Sequence, residues 1–173
     1  MLKTISLLLF YSISCNAFSQ ICKTSLIALY TPTNRFSLLK EGSIVLDKKT
    51  KLIWQRCSLG QSWQNNGKCT GNAKKYTFDK AQKIAKFTHF VGFNDWRVPT
   101  IKELASIVEL ACYEPAINTT IFPNIEISND YWSSSPYINA SNLSWSVDFD
   151  IGYDNYSLER SSELFVRLVR SGQ

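Results

Sequence analysis

Five lysines stand close together in mid-chain: Lys74, Lys75, Lys80, Lys83 and Lys86. The last three recur every third residue, so on a helix they lie on one side. A row of ammonium groups attracts polyanions by charge and by release of counterions. Sulfated glycans, lipopolysaccharide phosphates and extracellular DNA all have the matching chemistry. The same row also serves as an ordinary solvated helix face. A formal net charge of +5 agrees with either use. No nucleic-acid recognition module accompanies the lysines, so a specific nucleic-acid partner is not expected.

A second constellation is acidic. Asp148, Asp150, Asp154 and Glu159 have roughly the spacing of a calcium loop. Tyr153 stands where such a loop requires glycine, and Gly152 replaces a side-chain ligand. Ser144 to Phe149 alternates polar and apolar, which places Trp145, Val147 and Phe149 on one buried face. Strand, turn and strand is therefore the leading reading, and calcium the weaker one. The single histidine, His89, would have to serve any Ser-His-Asp or Cys-His arrangement. No nucleophile motif accompanies it. A non-enzymatic domain without a cofactor is the expectation.

Cysteines supply the third chemistry. Apart from Cys15, the chain has Cys22, Cys57, Cys69 and Cys112. In an oxidising compartment four cysteines read as two disulfides, with three connectivities open. The Gly-, Asn- and Ser-rich stretch from Ser58 to Lys68 looks like an excursion that needs closing. It favours Cys57–Cys69, which leaves Cys22–Cys112. Four thiolates on zinc would need close pairs that are absent.

The compartment follows from the first residues. Lys3, an apolar run from Ile5 to Ile13 and then small residues make a secretory leader over residues 1–17, with Ala17 the last residue removed. The run is shorter than the ~20 apolar residues of a membrane span. A rival reading makes Cys15 a lipidated first residue, but Ser12 is a poor match to the large apolar residue such a site carries. A secreted, periplasmic or cell-surface protein is expected, with no transmembrane segment. Residues 18–40 form a lead-in and residues 41–171 one domain. Hydrophobic residues at 45% and aromatic ones at 13% are enough to fill a core.

Several elements must position these groups. Ser43–Leu46 and Lys51–Trp54 form a hairpin around the turn Asp47–Thr50. Thr77 is a candidate N-cap for a helix whose apolar stripe is Phe78, Ala81, Ile84 or Ala85, and Phe87 or Thr88. Gly92 to Leu104 reads as a strand running into a second helix. Trp96 and Val98 alternate with Asp95 and Arg97, Pro99 ends the ladder, and Thr100 with Glu103 makes a capping box. Leu104, Ile107, Val108 and Ala111 continue at helical spacing. Tyr131–Ser135 and Phe165–Arg170 are further strands. The sum is an α+β domain with two helices and a mostly antiparallel sheet. Trp96, Trp132 and Trp145 read as core rather than as sugar-stacking platforms. Arg97, Arg167 and Arg170 look structural. Arg167 shares a strand face with Phe165 and Val169, so it is expected to pair with a carboxylate such as Asp95 or Glu103.

Several of these residues together carry a resemblance. They are Leu52-Ile53-Trp54-Gln55-Arg56-Cys57, Gly92…Asp95-Trp96-Arg97-Val98-Pro99-Thr100…Glu103-Leu104, Pro115-Ala116-Ile117, Phe122-Pro123, Tyr131-Trp132-Ser133-Ser134 and Val166-Arg167-Leu168-Val169-Arg170. In this order they resemble the collagen-like-adhesin C-terminal domain family, the Lcl C-terminal domain, over about residues 40 to 170. The resemblance implies a C-type-lectin-like fold, related to that of the formylglycine-generating sulfatase modifiers, in an exported bacterial protein. It implies binding of sulfated glycosaminoglycans, as in the adhesin of that family, which trimerises through a collagen-like stalk. This sequence has no Gly-X-Y repeat, so trimerisation does not carry over. The sulfatase modifiers use a reactive cysteine pair late in the chain, and no cysteine follows Cys112 here. The calcium triplets of sugar-binding C-type lectins are also missing. No catalytic or ligand residue is carried onto a numbered position. The expected role is non-enzymatic binding of sulfated or other anionic glycans. The alternatives are an envelope protein-interaction module and a degenerate enzyme of the sulfatase-modifier type.

Overall fold

A computed structural model describes residues 19–172. The stretch read as a leader, with Cys15, lies outside them. In chain order the described elements begin with β1 (Ile21–Cys22), β2 (Phe36–Leu39), β3 (Ile44–Asp47) and β4 (Leu52–Gln55). Then come β5 (Ser62–Gln64), β6 (Lys68–Thr70), α1 (Phe78–Lys86) and α2 (Ile101–Ala105). The chain finishes with β7 (Cys112–Tyr113), β8 (Tyr131–Pro136), β9 (Leu143–Asp148), β10 (Tyr153–Glu159) and β11 (Val169–Ser171). The pairs are antiparallel: a four-stranded sheet in the order β11-β4-β3-β2, a three-stranded sheet β10-β9-β8, and two ribbons, β1-β7 and β5-β6. Mostly antiparallel strands with two helices make this an α+β fold.

The hairpin β3-β4 explains its own sequence. Val45 and Trp54 pack into one apolar cluster with Leu104, Phe122, Tyr131 and Phe165. Ile44 and Ile53 pack into another with Phe78, Trp96, Trp132 and Leu168. Both faces are covered, so the strands read as continuous apolar runs rather than as alternation.

Both predicted disulfides are present, Cys57–Cys69 and Cys22–Cys112. The first closes the β5-β6 ribbon. The second ties β1 to β7, next to the end of the second helical region.

Five local expectations need correction. The helix after Thr100 ends at Ala105. Beyond it Ile107 and Val108 donate to the carbonyls three residues back, a tightened turn that still buries both side chains. Glu109, beyond that turn, accepts the backbone N–H groups of Tyr30 and Thr31 with its carboxylate. Residues 95–98 are extended but bridge a neighbour only at Arg97, to Val169.

The last strand is shorter than its pattern. Leu164 to Val169 bonds to a succession of partners instead of one: Tyr76, Asp130, Trp132, Leu59, Gln55 and Arg97. This segment knits the two sheets and the loops together. In α1, Phe78, Ala81 and Ala85 are buried but Phe87 is exposed, and Thr77 holds the cap position without a side-chain bond. Finally, Trp54, Trp96 and Trp132 are buried, whereas Trp145 is half-buried against Tyr137 and the neighbouring Ser144 and Ser146 are buried. Packing on both sides of β9 overrides the simple alternation.

Candidate functional site

The five lysines surround one end of the fold, and all are exposed. At ~100° per residue, Lys80, Lys83 and Lys86 fan over about 120° of α1. The fan is centred opposite Phe78, Ala81 and Ala85, the buried residues of the helix. Asp79 falls inside it and offsets part of the charge. None of the five forms an ion pair among the described residues, because the ion pairs there are Arg35–Asp47, Arg97–Glu103 and Arg170–Asp95. Two of the lysines rest on rings: Lys75 Nζ lies 5.1 Å from the Phe165 centroid and Lys80 Nζ 5.6 Å from that of Tyr76. Lys74 is fixed at its backbone, where its N–H donates to Leu59 at 2.9 Å. A Cβ on Gly60 would lie 2.7 Å from the Lys74 side chain, so this lysine presses on the loop after Cys57.

That loop walls a pocket of about 550 Å³. Lys40, Gln55, Ser58, Gln61, Trp63 and His89 are among its lining residues. The pocket thus lies between the Cys57–Cys69 ribbon, the β2-β3 turn and the segment that follows the lysine-bearing helix. Its size is within the ~300–1,000 Å³ typical of small-molecule sites.

Trp63 is held from behind. Its indole Nε1 donates to the Glu41 carbonyl at 3.1 Å, and the Arg56 guanidinium stacks 4.3 Å from the ring centroid. The turn that receives it is left-handed at three successive residues, Lys40, Glu41 and Gly42. Such backbone persists in non-glycine residues where the surroundings fix it. Here Gly42 must be glycine for a second reason: a Cβ would lie 3.1 Å from Trp63 Cζ2 and 3.3 Å from Arg56 Nη1. Arg56 itself is buried and donates to the carbonyls of Gly42, Thr120 and Ile121.

Below the pocket floor lies Arg167. The expected carboxylate partner is absent: Glu103 is taken by Arg97 and Asp95 by Arg170. The segment turns Arg167 inward instead, to 0% exposure, where it donates to the carbonyls of Gln55 and Arg56 and to Ser58 Oγ. Its guanidinium stacks 4.8 Å from the Phe122 centroid. Burial pushes its pKa down to about 10, so it is still charged at neutral pH. Tyr131 shares a hydrogen bond with Ser58 at 2.8 Å, and burial pushes its hydroxyl up, which keeps it neutral.

The acidic constellation is not brought together. Asp148 pairs with Tyr153 near the β9-β10 turn, and its carboxylate accepts the Asp150 N–H at 2.7 Å. Glu159 pairs with Leu143 at the other end of the hairpin. Asp148, Asp150, Asp154 and Glu159, the weaker calcium candidates, thus lie along a strand-turn-strand hairpin. Among the described residues no group of three or more His, Cys, Asp or Glu could hold a metal ion. His89 is exposed on the pocket rim, with Nδ1 3.1 Å from the Phe87 carbonyl. The four described cysteines are all in disulfides.

The sequence pattern did not single out Trp63 or Gln55. A signal was there for the first: Trp63 is a large aromatic in an otherwise polar, disulfide-closed loop. Gln55 gave none, since a glutamine ending an apolar strand looks like its solvent edge.

The model of the Lcl C-terminal domain matches residues 43–170. This chain belongs to the Lcl C-terminal domain family. The match spans the hairpin, both helices, the pocket loop and the Arg167 segment, so the lysine face lies inside the family domain, as does the pocket apart from Lys40 and Glu41. No curated protein matches the chain. Among the described residues no helix is long and apolar enough to cross a membrane.

Proposed function

We propose that this Lcl C-terminal domain is a non-enzymatic binding module of an exported bacterial protein, with a C-type-lectin-like fold and sulfated or other anionic glycans as its ligands. It would act at the cell surface or in the periplasm. The observation that carries this reading is the lysine fan. Its charges are exposed, turned away from the core and free of ion pairs among the described residues. Two disulfides suit an oxidising compartment. Exposed lysines of this kind bind polyanions through long-range charge, which salt screens.

The test is retention of the oxidised protein on immobilised heparin across a salt series. A variant with Lys74, Lys75, Lys80, Lys83 and Lys86 changed to Gln runs beside it. Wild type is expected to elute well above physiological salt, and the variant near the void. Elution of both together near the void would sink the reading.

A second reading has one observation in its favour. Leu26, Ile27, Leu29 and Tyr30 are exposed within five residues, Leu26 by 81%. A patch of this kind suits docking to an envelope protein. Binding to envelope extracts that survives high salt and is lost in Leu26→Ser/Ile27→Ser would favour it.

A further inference from the structure

The exposed apolar side chains are unevenly spread. Of the eleven large ones among the described residues, eight gather around the segment from Glu109 to Tyr113. Five come from the lead-in. Ile21 pairs with Tyr113 across the β1-β7 ribbon. The Lys23 N–H donates to the Ala111 carbonyl at 2.8 Å, and those of Leu26 and Ile27 donate to the Lys23 carbonyl at 2.9 and 3.0 Å. Leu29 lines a small cavity with Glu109 and Cys112, and the Tyr30 N–H donates to Glu109 Oε1 at 2.9 Å. Leu110 lies on the segment itself. Ile151 and Tyr153 flank Gly152 in the β9-β10 turn, which presses on its start: a Cβ on Gly152 would lie 2.8 Å from Val108. Leu110 and Gly152 line one shallow cavity of about 170 Å³. Leu26, Leu110 and Ile151 are 81%, 61% and 63% exposed. The carboxylate in their midst, Glu109, is turned inward onto the N–H groups of Tyr30, Thr31 and Ala111. The outward charges beside the face are mixed, Lys23 and Lys49 against Glu114 and Asp154. There is no cationic surplus, so the attraction of this face is apolar. A contiguous apolar face marks contact with a protein or a membrane.

Two observations favour the membrane. The first is what borders the face. Lys49 Nζ lies 4.1 Å from the Tyr30 ring centroid and Lys23 Nζ 6.0 Å from that of Tyr113. Tyrosine rings with a hydroxyl tip, and lysines with an apolar stem, suit the headgroup level of a bilayer. The second is the chain that precedes the face. Gln20 is held at this end of the fold, where its Nε2 donates to the carbonyls of Pro115 and Ile117 at 2.6 and 2.7 Å. The apolar run from Ile5 to Ile13 ends seven residues earlier, a reach of at most about 25 Å. Cys15, the rival lipidation position, is five residues away, about 18 Å at most. By either route the chain leaves the bilayer beside this face. We propose that the face rests on the lipid surface of the membrane across which the chain is exported, with Leu26, Leu110 and Ile151 in the headgroup boundary. The proposal rests on the export reading and not on the glycan reading. It gives the Leu26 patch, as part of a larger face, a lipid partner instead of a protein one.

The experiment floats the intact oxidised protein with zwitterionic vesicles of phosphatidylethanolamine and phosphatidylcholine at low and high salt. Wild type is expected to float at both, because salt screens charge and not apolar contact. Leu26→Ser/Leu110→Ser/Ile151→Ser is expected to bind at least tenfold more weakly, and the five-lysine variant within twofold of wild type. A second readout needs no loss of binding. Brominated phosphatidylcholine is expected to quench the added emission of Leu26→Trp but not that of Ile138→Trp, which is 92% exposed in the β8-β9 connection. Wild type that does not float overturns the proposal. So does flotation lost at high salt, which would assign the contact to the lysines. Undiminished flotation of the triple serine variant, or equal quenching at the two tryptophans, also overturns it. Dimer formation without flotation would give the face to a second copy of the chain, and salt-resistant binding to an envelope protein without flotation would give it to that protein; either result overturns the lipid assignment. Heparin retention is scored separately, and its failure leaves this proposal standing.

Discussion

Thr100 and Glu103 cap each other: Thr100 Oγ1 accepts the Glu103 N–H at 3.3 Å, and Glu103 Oε2 accepts the Thr100 N–H at 2.8 Å. Arg97 grips the same carboxylate with two bonds of 2.6 and 2.7 Å. One glutamate thus starts α2 and ties it to the extended stretch before it. Thr100→Ala removes one side of the box and is expected to cost about 1 kcal/mol. Glu103→Ala also strips Arg97 of its partner, and about 2 kcal/mol is expected, kept modest because Arg97 is partly exposed. Urea unfolding of both variants checks this. Equal losses would mean that the Arg97 pair contributes nothing.

The two disulfides are expected to separate overall stability from the placement of Trp63. Cys22–Cys112 spans 90 residues and Cys57–Cys69 spans 12. Loop-closure entropy then predicts a loss of about 4–5 kcal/mol for removing the first and about 3 kcal/mol for the second, each with paired Cys→Ala changes. The shorter one, however, holds the ribbon that carries Trp63. Its removal is expected to disturb the position of Trp63 more than removal of the longer one. Thermal melts and the Trp63 indole resonance in NMR spectra of the two double variants give the comparison. A ranking that is the same for both readouts would contradict it.

What was legible in the sequence was what local chemistry decides. The hairpin, the capping box and both disulfides follow from residues near one another or from parity of cysteines. The failures come from tertiary choices. Helix spacing runs on from Leu104 to Ala111, yet the helix stops at Ala105 and Glu109 bonds to Tyr30 and Thr31 of a distant segment. Alternation from Phe165 to Arg170 suggests one ladder, yet only Leu168 to Arg170 run along β4, while Phe165 bonds to Asp130 and Trp132 and Val166 to Leu59. The cost of an unpaired buried charge predicts a carboxylate for Arg167, which the structure does not provide. The competition among Arg97, Arg167 and Arg170 for Glu103 and Asp95 is invisible without coordinates. Lys80, Lys83 and Lys86 lie on α1 away from its buried residues, as their spacing predicts, whereas the pocket beside them is built from a turn, a loop and a strand end that sequence does not join.

Acid should unfold this domain through its buried carboxylates. Burial pushes the Asp47 carboxyl up, but Arg35, Thr50 and the Lys49 N–H outweigh it and hold it below its ordinary value. Burial also pushes Glu109 up, and the N–H groups of Tyr30, Thr31 and Ala111 with the Thr31 hydroxyl hold it down. With folded values below unfolded ones, the unfolded chain takes up protons first as pH falls. Stability is then full above the ordinary carboxylate range near ~4 and declines as pH falls through it. Asp47→Asn is expected to lower stability at pH 7 by about 2 kcal/mol or more and to flatten the acid limb. Urea midpoints from pH 7 to pH 3 test it. An unchanged acid limb in a folded Asp47→Asn protein would remove Asp47 from the account.

Arg167 offers the sharpest separation of charge from scaffold. Its planar fork spans the carbonyls of Gln55 and Arg56 and the Ser58 hydroxyl while its face stacks on Phe122. A lysine keeps the charge but loses the fork and the stack, so Arg167→Lys is expected to cost about 2–4 kcal/mol. Met fills similar space without charge, and Arg167→Met is expected to cost about as much through the lost donors, offset in part by the desolvation it relieves. Urea unfolding of both variants measures the losses. A folded Arg167→Met protein with the wild-type urea midpoint would show that the fork to Gln55, Arg56 and Ser58 contributes nothing to stability.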